Sequence, residues 1–187
     1  MVALPFPIDR PWKIEDLADM PDDGQRYELL QGELFVSPAP GGNHQLVLGE
    51  LYGQFFVLLK KHAVGRAVVA PCDVRLSPND LVQPDLIFFR NEQTQQFSNK
   101  GFNGAPAFVI EVISPSTGSY DRGRKAALYI QWGVEEYWIV DPDKKRILVH
   151  TAAEYTSMPK IVTSGIIVSS VVPEYAINLV ELFAVGI

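Results

Sequence analysis

Gln83-Pro84-Asp85-Leu86-Ile87-Phe88-Phe89 and, further along the chain, Ala107-Phe108-Val109-Ile110-Glu111-Val112-Ile113 decide how this sequence is read. Each is an apolar run of strand length that carries one carboxylate. Continuous apolar runs suit central strands covered on both faces. A carboxylate placed there gives up its hydration, at a cost of several kcal/mol unless something compensates. A bound cation, an Arg or Lys partner, or protonation would each do so. Taken singly, Asp85 could mark a strand start after Pro84, and Glu111 could be a salt-bridged core acid. Taken together on neighbouring strands they repel, unless a cation joins them. Oxygen ligands of this kind suit Mg²⁺, which keeps several waters and takes one or two carboxylates.

Working outward, Ser119–Trp132 reads as a helix. Its Asp121, Lys125, Leu128, Tyr129 and Trp132 share one arc of about 100° on a 3.6-residue period. Leu128 and Trp132 are expected to face the sheet, which sets Asp121 and Lys125 on or beside the buried face and sends Arg122 and Arg124 to its sides. Lys125 is then an ion-pair partner of the acids, a catalytic ammonium, or a surface i,i+4 partner of Asp121. Upstream, Val47, Leu48, Leu51, Phe55 and Leu58 predict a helix over Asn43 to His62, with Asn43 as its N-cap. His44 begins the apolar stripe, as a hydrogen-bonded structural residue or as one that orients a ligand or moves a proton. Glu50 lies opposite and is expected to face solvent. His62 and His150 have no companions at metal spacing.

Tyr27 to Val36 reads as two short strands around a Gln31-Gly32 turn. Glu28 there either completes the acidic cluster or is an exposed hairpin acid; Glu33 reads as structural. Ala67–Leu76, Val82–Phe89 and Ala107–Ile113 read as strands, and 90–105 as a polar loop. Glu135–Asp141 and Lys145–His150 form a hairpin. Short strands follow over 160–169, and a short helix over 178–183. Interleaved strands and helices predict an α/β (α+β) domain, a central mixed sheet flanked by helices. One domain is expected over 1–187: an arm to residue 26, a core over 27–150, and C-terminal strands with a short helix over 151–187.

The 187 residues suffice for a sizeable core. A single cysteine, Cys72, excludes an internal disulfide and agrees with a reducing, cytoplasmic setting. No apolar run approaches the ~18 residues of a membrane helix, and the start carries no signal-type apolar region. Lys and Arg number 16 against 22 Asp and Glu, a net charge of -6, which argues against a broadly basic DNA grip. Local basic clusters stand at 60–62, 122–125 and 144–146. No nucleophile elbow, phosphate loop or dinucleotide fingerprint is present.

Several pieces occur in a distinctive order. They are Tyr27-Glu28-Leu29 with Gly32-Glu33-Leu34, His44, Pro84-Asp85, Glu111-Val112-Ile113-Ser114-Pro115-Ser116-Thr117, Asp121 with Lys125 and Tyr129, and Gly133 through Asp141. This set resembles the Uma2 family (DUF820) of the PD-(D/E)XK nuclease superfamily, common in cyanobacteria. The resemblance implies a restriction-endonuclease-like core and metal-dependent endonuclease cleavage of phosphodiesters, in DNA before RNA or branched forms. It implies Asp85 and Glu111 as ligands of Mg²⁺ or Mn²⁺, and Lys125 as the third catalytic residue. Glu28, His44 and Asp121 would support them, and Arg122 and Arg124 would meet phosphates. The chain departs from the superfamily pattern at Ile113, where a lysine is expected; Lys125 looks like the migrated substitute. The rival expectation is a catalytically inactive nuclease fold serving as a nucleic-acid-binding or assembly module. Cutting both strands would call for a homodimer. Alanine at Asp85 or Glu111 is expected to remove the cation, spare the fold and relieve acid repulsion.

Overall fold

Arg26–Leu30 (β1) and Glu33–Ser37 (β2) form the expected hairpin, with Gln31 and Gly32 at φ 54° and 76° in its turn. Gly32 is required there twice over: its φ is left-handed, and a Cβ would meet the Cβ of Pro11 at 2.5 Å. The computed structural model describes residues 10–113, 121–154 and 158–186, with Asp121, Arg122 and Glu154 described in backbone only. The motif residues Ser114–Thr117 and the expected helix start at Ser119 lie outside the described residues.

Next comes α1, Gly42–Lys61, which buries Val47, Leu48, Leu51 and Phe55 as the periodicity predicts. Its N-cap is Gly41 rather than Asn43, so the helix starts a turn-fraction earlier than expected. Then follow β3 (Gly65–Val69), β4 (Val74–Ser77), β5 (Asp80–Val82), β6 (Leu86–Arg90), β7 (Phe97–Ser98), β8 (Gly101–Asn103) and β9 (Phe108–Val112). The second helix, α2, spans Asp121–Trp132. The chain continues through β10 (Glu136–Asp141), β11 (Arg146–Thr151), β12 (Lys160–Val162), β13 (Ile166–Val168), β14 (Ala176–Asn178) and α3 (Leu179–Ala184). Among the described residues, no helix is long and apolar enough to cross a membrane.

Two mixed sheets form, in the orders β2-β1-β5-β4-β8-β7 and β12-β11-β10-β9-β6-β3. One central sheet is expected; the second of these takes that place, and the first packs beside it. Two long apolar runs are divided to make it. Residues 67–76 break at Pro71, and 82–89 break at Gln83-Pro84-Asp85, because proline cannot donate to a ladder. The stretch 90–105, expected to be a loop, holds a 3-10 turn (Asn91–Gln96) and the short β7 and β8.

Period-two alternation on β6, β9 and β10 sorts side chains onto two cores. Leu86, Phe88, Phe108, Ile110, Trp138 and Val140 face α1, with Tyr175, Ile177 and Leu182 from the C-terminal segment. Ile87, Phe89, Val109, Tyr137 and Ile139 face the other way, against Val74, Val82 and Phe102 of the first sheet and Ala126, Leu128 and Tyr129 of α2. Helix α2 therefore lies between the sheets, touching β1 and β10. Trp132, expected on its buried face, is the last residue of α2 and is 37% exposed.

Candidate active site

The site lies where the chain passes from one sheet to the other. β5 belongs to the first sheet and β6 to the second, and Gln83-Pro84-Asp85 is the bridge between them. Leu86 pairs with Ile110 in antiparallel register, so one step further along the ladder Asp85 comes opposite Glu111. The two acids are neighbours because of that register. Asp85 sits just before its strand, as the Pro84 reading allowed; Glu111 is inside its own.

Asp85 is almost fully buried and holds three donors. Arg26 Nη1 reaches Oδ1 at 2.9 Å; His44 Nε2 and the backbone N–H of Val112 reach Oδ2 at 2.9 and 2.8 Å. Burial pushes its pKa up, but the His44 hydrogen bond and charge, Arg26 and the Val112 N–H outweigh this and hold the carboxyl below its ordinary value. His44 Nδ1, also buried, has no hydrogen-bond partner among the described residues.

Glu28 and Glu111 are bridged by Lys125. Its Nζ donates to Glu28 Oε1 at 2.9 Å and to Glu111 Oε1 at 3.1 Å. Tyr129, one turn further along α2, donates to the same Glu111 oxygen at 3.0 Å, and the Gln83 N–H donates to Glu28 Oε1 at 2.7 Å. Glu111 is pushed up to about 7, first by burial and then by Asp85 and Glu28, against the opposing pull of Lys125. Burial likewise raises the Tyr129 hydroxyl well above its usual value, with the charge of Glu111 adding to it, so Tyr129 is a donor here.

The structure thus brings Glu28, His44, Asp85, Glu111 and Lys125 together. The side chains of Asp121 and Arg122 lie outside its description. Arg124 is turned to the surface, where it pairs with Glu33 at 2.6 Å and lies over the Phe35 ring. Glu50 is partly buried and accepts from Gln54. Two members were missed by the sequence reading. Arg26 was assigned to the arm, though it shares a β1 face with Glu28 two residues on. Tyr129 was read for its place on the helix arc and in the family pattern alone.

A divalent cation fits this donor set. All hydrogen bonds accepted by Glu28 and Glu111 converge on Oε1 of each, and Oε2 of each accepts none among the described residues. Asp85 uses three of roughly four lone-pair positions. Among the described residues no group of three or more His, Cys, Asp or Glu side chains is placed to hold a metal ion. Any fit would rest on one or two of these carboxylates, with waters completing the shell.

Two mixed sheets flanked by helices, with acids and a lysine gathered at their junction, define a nuclease-type α+β fold. The chain belongs to the Uma2 family, whose pattern, described as "Putative restriction endonuclease", matches residues 14–179. That membership sets it, in broad terms, among nuclease-type phosphodiester hydrolases. The fold is shared with a protein of Anabaena variabilis whose crystal structure is described as that of "a putative nuclease belonging to DUF820". The TM-score is 0.81 at 19% identity, covering 94% of this chain and 99% of that one. No functionally curated protein matches the chain.

Proposed function

We propose that this protein is a divalent-cation-dependent endonuclease that hydrolyses phosphodiester bonds in DNA. The observation that carries this reading is the convergence of Glu28, Asp85 and Glu111 on Lys125 and Arg26 at the sheet junction. Asp85 and Glu111 are the residues that would hold Mg²⁺ or Mn²⁺, with Glu28 beside them. Bound there, the cation supplies Lewis-acid polarisation of a phosphate oxygen. Lys125 brings an ammonium to the same acids, placed to stabilise charge that builds on the phosphate or to orient the attacking water. His44 and Val112 fix the Asp85 carboxylate, and Tyr129 fixes that of Glu111. Arg124 and Arg122 are the proposed phosphate contacts; Arg124 would first exchange its pair with Glu33, and exposed pairs of that kind hold by only ~0–1 kcal/mol.

A second reading, an inactive nucleic-acid-binding or assembly module, is favoured by two observations. Ile113, partly buried against the core, offers no charge where a lysine is expected, and Asp85 is already engaged by Arg26 and His44.

Titration of Mn²⁺ into the wild type and into Glu111→Gln by calorimetry, followed by cleavage assays on supercoiled and single-stranded DNA, separates the readings. Saturable binding lost in the variant, with cleavage lost alongside it, supports the enzyme. Cation binding without cleavage in Mg²⁺ or Mn²⁺ overturns it and favours the module.

A further inference from the structure

A groove separate from the acidic site runs along the free edge of the second sheet. It encloses about 610 Å³ and is lined from α1 by Tyr52, Phe56 and Lys60, from β3 by Gly65 and Arg66, and from beyond β6 by Phe97. Among the described residues β3 is the last strand of its sheet, paired with β6 alone. None of the groove's lining residues is acidic, although the chain carries 22 Asp and Glu against 16 Lys and Arg.

The aromatic rings are exposed and braced. Phe97 is 38% exposed and stacks on buried Phe89, with centroids 5.2 Å apart and planes 26° apart. Phe56 is 46% exposed and carries Lys60 Nζ 5.0 Å from its centroid. A ring held from behind, with cations alongside, is the arrangement on which unpaired bases stack while their phosphates are neutralised. Edge strands also accept added strands, but an exposed charge such as Arg66 in mid-strand works against that use.

We propose that this groove binds a single-stranded segment of nucleic acid, with a base on Phe97 or Phe56 and phosphates on Lys60 and Arg66. The choice of ligand rests on the nuclease reading. The geometry joins the two places: Phe89 behind Phe97 and Asp85 at the acidic site stand at opposite ends of β6, about 13 Å apart at the ~3.3 Å rise of a strand. A strand lying in the groove would present its continuation toward the acids.

The test is fluorescence anisotropy with a labelled oligothymidylate in EDTA, where no cleavage occurs. The proteins are wild type, Phe97→Ala, Lys60→Ala/Arg66→Ala and Glu111→Gln, each checked for folding by circular dichroism and melting. Phe97→Ala is expected to weaken binding about tenfold. The double variant is expected to reduce the slope of log K against log salt by about 1.4, two phosphates at ~0.7 each. Glu111→Gln should bind like wild type. Wild-type affinity in both groove variants overturns the proposal, as does loss of binding in Glu111→Gln alone, which would put the oligonucleotide at the acids and leave the nuclease reading standing. Absence of wild-type binding, with a dimer in sedimentation that Phe97→Ala disrupts, overturns it in favour of a second copy of the chain. Normal groove binding without cation-dependent cleavage removes the enzyme reading and leaves the groove.

Discussion

Asp85 Oδ2 accepts the backbone N–H of Val112, the residue directly after Glu111, at 2.8 Å. This bond ties the carboxylate on the inter-sheet bridge to the strand that carries the second acid. The spacing of the pair is therefore set by backbone, whatever occupies the space between them. It also makes Asp85 part of the fold, since removing its charge strands a buried N–H, His44 and Arg26 together.

Asp85→Asn should destabilise the protein at pH 7 by roughly 1.5–3 kcal/mol, the range for hydrogen bonds to a charged group. Relief of acid repulsion, expected from the sequence, is outweighed by the three donors. The sign also follows from titration. A carboxyl held below its unfolded value contributes stability that is present above the unfolded value and lost as pH falls through the folded one. Urea unfolding at pH 7 and at pH 3 checks this: the gap between variant and wild type should narrow in acid.

Glu111 behaves in the opposite way. Its ordinary value of 4.5 is pushed up to about 7, so the folded state binds a proton the unfolded state has released. Its contribution is complete below about 4.5 and is lost as pH rises through about 7, on the order of 3 kcal/mol in all. Unfolding of the EDTA-treated protein should thus show stability falling across that window, and Glu111→Gln should flatten the fall. A wild-type profile level from pH 5 to 8 would contradict the buried, acid-flanked setting of this group.

Much of this site was legible because its residues break local rules. A carboxylate in an apolar strand, or a lysine on the buried arc of a helix, conflicts with its surroundings, and such conflicts gather at functional sites. Asp85, Glu111 and Lys125 announced themselves in that way. Arg26 did not, because an arginine at the start of a polar segment conflicts with nothing; only its two-residue offset from Glu28 tied it to the site. The first sheet, β2-β1-β5-β4-β8-β7, was hidden for another reason. β5, β7 and β8 have three residues or fewer, too short for periodicity to speak, and they form through pairing with distant strands. The exposure of Trp132, the last residue of α2, is likewise a matter of where the helix ends against its neighbours, which helical spacing cannot encode.

Glu136 supplies a control outside the site. Its buried carboxylate accepts from Trp138 Nε1 at 2.8 Å, Ser169 Oγ at 2.6 Å, and the N–H groups of Ser170 and Val171 at 2.9 and 3.1 Å. It pins the turn after β13 to β10, and alanine there should cost about 3 kcal/mol by leaving several buried donors unpaired. Cation affinity measured on the folded variant should match wild type; a coupled loss of binding would mean that any core lesion disturbs the acids, and would weaken every site variant as evidence.

Lys125→Ala tests the centre of the arrangement. Lys125 is buried and holds two buried carboxylates together. Removing it leaves Glu28 and Glu111 without the cation between them, at a cost of about 3–5 kcal/mol. The lost charge is one that a divalent ion can replace. Mn²⁺ should therefore raise the melting temperature of Lys125→Ala more than that of wild type, and at a hundredfold excess over its dissociation constant it would return about 2.7 kcal/mol. On the proposed mechanism, cleavage should stay low even when the fold is rescued in this way, because the ammonium assigned to the phosphate is gone. A variant that melts early and is indifferent to Mn²⁺, beside a wild type that binds it, would place the ion away from Glu28 and Glu111. A rescued variant that cleaves at the wild-type rate would reduce Lys125 to an ion-pair partner of the two acids.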